Sequence, residues 1–181
     1  MSRLFFTLGV VILTCYSCIV EVQCTPIANE EEMRAAYEEV RNDDSAITWA
    51  VFIYDGKNII LGGTGIEYDE MLSHFTDDAR VYAYVRLETG DVMSRRAKFA
   101  FITWIGPSVS PLKKAKVSTD KAFVKQVMSQ FGKEILADDK SEVAKDVVLA
   151  LLENASGAAY GTGMKRINLL YKILHALRDL E

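Results

Sequence analysis

The chain has 181 residues, enough for one domain of ordinary size with a short extension at either end. Half of the residues are apolar and a quarter are charged, the balance of a folded globular protein, which excludes a wholly disordered chain. The formal net charge of −4 argues against wholesale nucleic-acid binding.

Residues 1–24 read as a secretory signal. Arg3 supplies the positive start, Leu4 to Val20 form an apolar run of seventeen residues, and a tolerable cleavage site stands at Val22-Gln23-Cys24. Seventeen residues is short for a spanning helix, so membrane attachment is expected only if the segment is retained. All three cysteines, Cys15, Cys18 and Cys24, lie here. The body from Thr25 onward therefore has no thiol for a disulfide, a metal site or a nucleophile.

Asn29 followed by Glu32 resembles a helix start, and Met33, Ala36, Tyr37 and Val40 make the apolar stripe of a first helix. Ala46 to Tyr54 is apolar on both alternating faces, the pattern of a central strand covered on both sides. Asp55-Gly56 is a hairpin signal, and Asn58 to Leu61 is the returning strand. Gly62, Gly63 and Gly65 then read as a turn, without the Gly-Lys-Ser/Thr of a phosphate loop. Tyr68, Met71, Leu72 and Phe75 give a short second helix, and Arg80–Leu87 and Ala97–Ile105 two more strands. The helix after Pro111 presents Phe123, Val124, Val127, Met128 and Phe131 inward, with Lys121 and Lys125 outside. A brief strand at Glu134 to Leu136 follows. Ser141 is then expected to cap a last core helix with Val143, Val147, Val148 and Leu151 inside. At the far end, residues 161–181 carry Ile167, Leu170, Ile173, Leu174, Leu177 and Leu180 at helical spacing. The order α-β-β-α-β-β-α-β-α predicts an α/β (α+β) domain, with a mixed sheet of five or six strands and helices on both faces.

Charge is distributed unevenly. Between Met93 and Lys125 stand Arg95, Arg96, Lys98, Lys113, Lys114, Lys116, Lys121 and Lys125, opposed only by Asp120. That surplus of seven on a chain of −4 leaves the remainder at −11. One helix with such a run is ordinarily a solvated face. Two separate segments sharing the bias point to a large acidic partner met in one orientation. Positive signs of enzymatic chemistry are missing: His74 and His175 are the only histidines, and no Gly-x-Ser-x-Gly or His-Glu-x-x-His occurs. Asp43-Asp44 and Asp77-Asp78 stand at turn positions, where acids cap and solvate. No catalytic residue, metal site or cofactor is expected.

A set of longer stretches is more specific. These are Arg34-Ala35-Ala36-Tyr37 with Val40-Arg41, Phe52-Ile53-Tyr54-Asp55-Gly56 and Thr76-Asp77-Asp78-Ala79-Arg80. They continue with Thr89 to Ala100, Ile102-Thr103-Trp104-Ile105-Gly106, Lys114-Ala115-Lys116-Val117-Ser118-Thr119-Asp120-Lys121 and Gly157-Ala158-Ala159-Tyr160. In this order and spacing, Met33 to Tyr160 resembles the coactosin type within the actin-depolymerising-factor homology superfamily. The resemblance implies a cofactor-free, non-enzymatic, monomeric αβ domain over residues 29–160 that binds the side of filamentous actin without severing it. It implies actin contacts on the strand after Ser94-Arg95-Arg96 and on the helix after Pro111, the two segments already marked as basic. Lys98 falls on the position where such domains meet the filament, near Arg95 and Arg96. Where the family carries basic residues before its C-terminal segment, this chain has Leu152-Glu153-Asn154, so contacts there are not carried over. Two other readings stand beside filament binding. One is a same-fold adaptor for an actin-related or signalling protein. The other is a secreted or membrane-tethered domain with Asn154-Ala155-Ser156 as a glycosylation acceptor. The actin reading places the protein in the cytoplasm.

Overall fold

A computed structural model describes residues 26–90 and 95–155. The signal-like segment 1–24, the family-like Gly157-Ala158-Ala159-Tyr160 and the apolar-periodic segment 161–181 lie outside the described residues.

The first helix, α1 (Glu30–Arg41), starts where the sequence places it. The Asn29 side chain accepts from the Glu32 amide at 3.2 Å, satisfying one of the helix's free donors, and donates to the Glu32 carboxylate at 3.3 Å. Glu30, Glu31 and Glu32 sit at the positive end of its dipole, and Arg41 at the negative end. Met33, Ala36, Tyr37 and Val40 are its buried stripe, as their spacing predicts.

Five strands form the sheet: β1 (Trp49–Asp55), β2 (Asn58–Gly65), β3 (Arg80–Thr89), β4 (Arg96–Ile105) and β5 (Lys133–Ala137), in spatial order β2-β1-β3-β4-β5. All neighbours are antiparallel except β4 and β5, which run parallel. Gly56 takes the positive φ of +59° that the β1–β2 hairpin turn needs. The sheet is mixed, with helices on both faces, as expected. Pleating divides the core in two. Trp49, Val51, Val81, Ala83, Val85, Ala100, Ile102 and Trp104 face α2 (Tyr68–Ser73) and α4 (Lys145–Ala155). On the other face, Ala50, Phe52, Tyr82, Tyr84 and Phe101 pack against α1 and α3 (Pro111–Val127).

The structure corrects the sequence reading at four places. Gly62, Gly63 and Gly65 are not a turn but the second half of β2, with Gly62 bulged where the register shifts opposite Val51 and Phe52. Glycine is needed there because a Cβ on Gly62 would come within 2.8 Å of the Ile53 side chain, and one on Gly65 would overlap the Trp49 ring. Ser141 does not cap the last helix. It lies inside a short 3₁₀ turn, Lys140–Val143, where its amide donates to Asp139 at 2.7 Å. The turn delays α4 to Lys145, and the helix buries Val148 and Leu152, with Val147 and Leu151 only half-buried. On α3 the buried positions begin earlier, at Val117 and Asp120, while Phe123 is half-buried. Phe131 lies beyond the helix, its ring 5.4 Å from that of Phe101.

Candidate functional site

Strand β4 positions the first basic group. Arg96 opens the strand opposite Thr89 and is exposed. Arg95, just before it, pairs with Glu88 at 3.2 Å, both side chains two-thirds exposed, so water screens the pair and it contributes little. Lys98 stands opposite Leu87 and shares its face of the pleat with Ala100, Ile102 and Trp104. It is half-buried.

Helix α3 carries the second group on two flanks. Lys114, Lys121 and Lys125, at i, i+7 and i+11, face β5. Lys114 lines a cleft with Ile105, Leu136 and Asp138. Lys121 and Lys125 converge on Glu134, with Nζ–O distances of 2.6 and 2.8 Å. Partial burial pushes the Glu134 carboxyl up, but the two lysine hydrogen bonds outweigh it and hold it below its ordinary range. Lys116 points to the opposite flank, donating to the Lys57 carbonyl at 3.1 Å and approaching Asp120 at 3.7 Å. Lys113, near the start of the helix, is exposed beside Leu112, itself 83% exposed.

Asp120, the one acid of the basic segment, is buried. It accepts from the Tyr54 hydroxyl at 3.0 Å; Tyr82, 3.0 Å from Tyr54, donates to the Val117 carbonyl at 2.7 Å. Burial, then the Tyr82 hydroxyl and the Asp120 charge, push the Tyr54 pKa well above its ordinary value, so it stays a donor. The Arg80 guanidinium lies 3.8 Å over the Tyr54 ring. This network holds α3, and with it Lys116, against the sheet.

Residues 26–153 match the model of the cofilin/tropomyosin-type actin-binding proteins. The chain belongs to that family. Human coactosin-like protein is 48% identical over 132 residues, 73% of this chain and 93% of that protein. Crystal structures of the human protein align with a TM-score of 0.67 at 47% identity, over 70% of this chain and 96% of theirs. The solution structure of mouse coactosin, described as an actin filament binding protein, aligns with a TM-score of 0.60 at 42% identity, over 77% of this chain and 94% of its own. The coactosin-type resemblance read from the sequence is thereby established.

In this cofilin-type domain the eight basic residues form two groups. Arg95, Arg96 and Lys98 stand at the start of β4, whereas α3 begins beyond its end, about 30 Å away at ~3.3 Å per residue. Lys98 faces the α4 side of the sheet, and α3 covers the other. Helix α3 runs back antiparallel to β4, because β5 must re-enter parallel beside it. Among the described residues, Arg96, Lys113 and Lys114 enter no ion pair. Sequence reasoning missed Glu134, Lys57, Arg80 and the Tyr54–Tyr82–Asp120 group. Only Lys116–Asp120, an i,i+4 pair of opposite charge, left a legible signal. His74 is half-buried, edge-on to Trp49 at 5.8 Å. No group of three or more His, Cys, Asp or Glu among the described residues is arranged to hold a metal ion.

Proposed function

We propose that this chain binds the sides of actin filaments as a non-enzymatic, monomeric cytoplasmic protein, without cofactor. Residues 29–160 act as the binding domain, and 1–24 and 161–181 lie outside it. The observation that carries the reading is the coverage of mouse coactosin, an actin filament binding protein, across nearly its whole length. The surplus of positive charge confined to β4 and α3 supports it, since filamentous actin is a large acidic partner. Lys98, with Arg95 and Arg96, forms one contact; Lys113, Lys114, Lys116, Lys121 and Lys125 on α3 form the other.

Lys98 is the most decisive of these. It is a half-buried cation whose ammonium would be desolvated further by a docked partner, and truncating one member of such a pair typically costs about 2–5 kcal/mol. Lys98→Ala is expected to weaken filament binding by about thirtyfold or more in co-sedimentation, at roughly tenfold per 1.4 kcal/mol. Lys140→Ala, outside both basic segments, serves as the control. Equal pelleting of Lys98→Ala, the control and wild type would remove Lys98 from the interface.

A further inference from the structure

Lys121 and Lys125 differ from the other lysines of α3 in what surrounds them. They stand one turn apart, and both reach across to Glu134, a residue of the edge strand β5. Glu134 is in register with Phe101 of β4, so it projects on the sheet face that α3 covers. Its two carboxylate oxygens are divided between the two ammoniums, at 2.6 and 2.8 Å, and Lys125 also lies 5.4 Å from the centre of the Phe131 ring. All three charged side chains remain partly exposed, so an approaching surface can reach them. By contrast, Lys113 and Lys114, on the first turn of the same helix, enter no ion pair among the described residues.

We infer that Glu134 is an internal counter-ion that competes with the acidic partner for Lys121 and Lys125, and so sets how much of α3's positive charge the protein offers. The inference rests on the filament-binding reading and deepens it. A carboxylate within 3 Å of both ammoniums leaves the trio with one net positive charge where two would otherwise face the partner. A carboxylate of the partner that approaches either lysine must displace Glu134 or sit beside it, and like charges brought together at an interface are costly. The same carboxylate pins the C-terminal half of α3 to β5, which keeps the unpaired lysines of the first turn in a fixed orientation. Glu134 therefore lowers affinity at one end of the helix while ordering the other. It is a positioning and tuning residue that need not touch the partner.

Co-sedimentation with purified actin filaments at several salt concentrations, using the full chain, tests this. Glu134→Gln is expected to tighten binding by about twofold to fivefold, the scale of a partly exposed ion pair, and to steepen its salt dependence. Lys121→Gln is expected to cost at least about threefold more in the Glu134→Gln background than in wild type, because only there is its charge uncompensated. Thermal melts verify that each variant is folded, and Glu134→Ala, which removes the carboxylate without leaving an amide acceptor, is expected to move affinity in the same direction. Folded Glu134 variants that bind filaments no tighter than wild type, or an equal cost of Lys121→Gln in both backgrounds, would overturn the inference while leaving filament binding intact. A wild-type protein that does not pellet with filaments would overturn the underlying reading and this inference with it.

Discussion

Val51 is fully buried at the centre of β1, between Ala83 of β3 and Gly63 of β2. Its truncation to Ala removes two methyl groups from a packed interior and is expected to cost about 1–3 kcal/mol, read as a shift of the denaturant midpoint. A shift indistinguishable from zero would mean that the site collapses freely or is not buried. Residues such as Val51 and Trp49 were legible in the sequence because a strand's alternation alone assigns them to a face. The Tyr54–Tyr82–Asp120 network was not. It joins residues 28 and 66 positions apart, and no local periodicity couples such positions. Glu134 escaped for a related reason: it lies beyond the basic segments, and only the β4–β5 register brings it under α3. Lys98 was placed on its face by alternation, and its role rests on the family.

At the scale of elements, the first helix tests how far a local signal carries. Asn29 caps α1 through its side chain, so Asn29→Ala is expected to destabilise the protein by about 1 kcal/mol, within the range measured for lost caps. Equal thermal stability of the two proteins would show that the cap is redundant. The α3–β5 clamp makes a pH-dependent prediction. The Glu134 carboxyl titrates lower in the folded protein than in the unfolded chain, where its value is about 4.3. The unfolded state thus binds the proton more readily, and the clamp's contribution is fully present above that value and lost as the pH falls through the folded one. The stability difference between wild type and Glu134→Gln should therefore be constant from pH 6 to about 5 and shrink steadily below about 4. Denaturant titrations across that range check the sign; a difference that grew on acidification would contradict it. Helices and strands were legible wherever one period ran uninterrupted, as in α1 and β3. The glycine run in β2 was not, because a Trp49 ring lying over Gly65 is a tertiary reason for glycine that imitates a turn signal. Ser141 misled because Asp139, two residues earlier, supplies the capping carboxylate and starts a 3₁₀ turn instead.

At the scale of the whole molecule, an acidic body carries two basic groups, Arg95, Arg96 and Lys98 at the start of β4 and the five lysines of α3. The topology sets the groups on opposite faces of the sheet: α3 begins only after β4 ends and runs back along it, so Lys121 and Lys125 meet Glu134 in register with Phe101, close along the strand to Lys98. The surplus of seven positive charges in this region should make association sensitive to salt, because exposed charges are screened within about 8–10 Å at physiological ionic strength. The most direct test is high-speed co-sedimentation of the wild-type chain with purified actin filaments over a range of filament and salt concentrations. Saturable pelleting with the filaments that weakens as salt rises is expected; protein that stays in the supernatant at every filament concentration and at low salt would rule out filament binding.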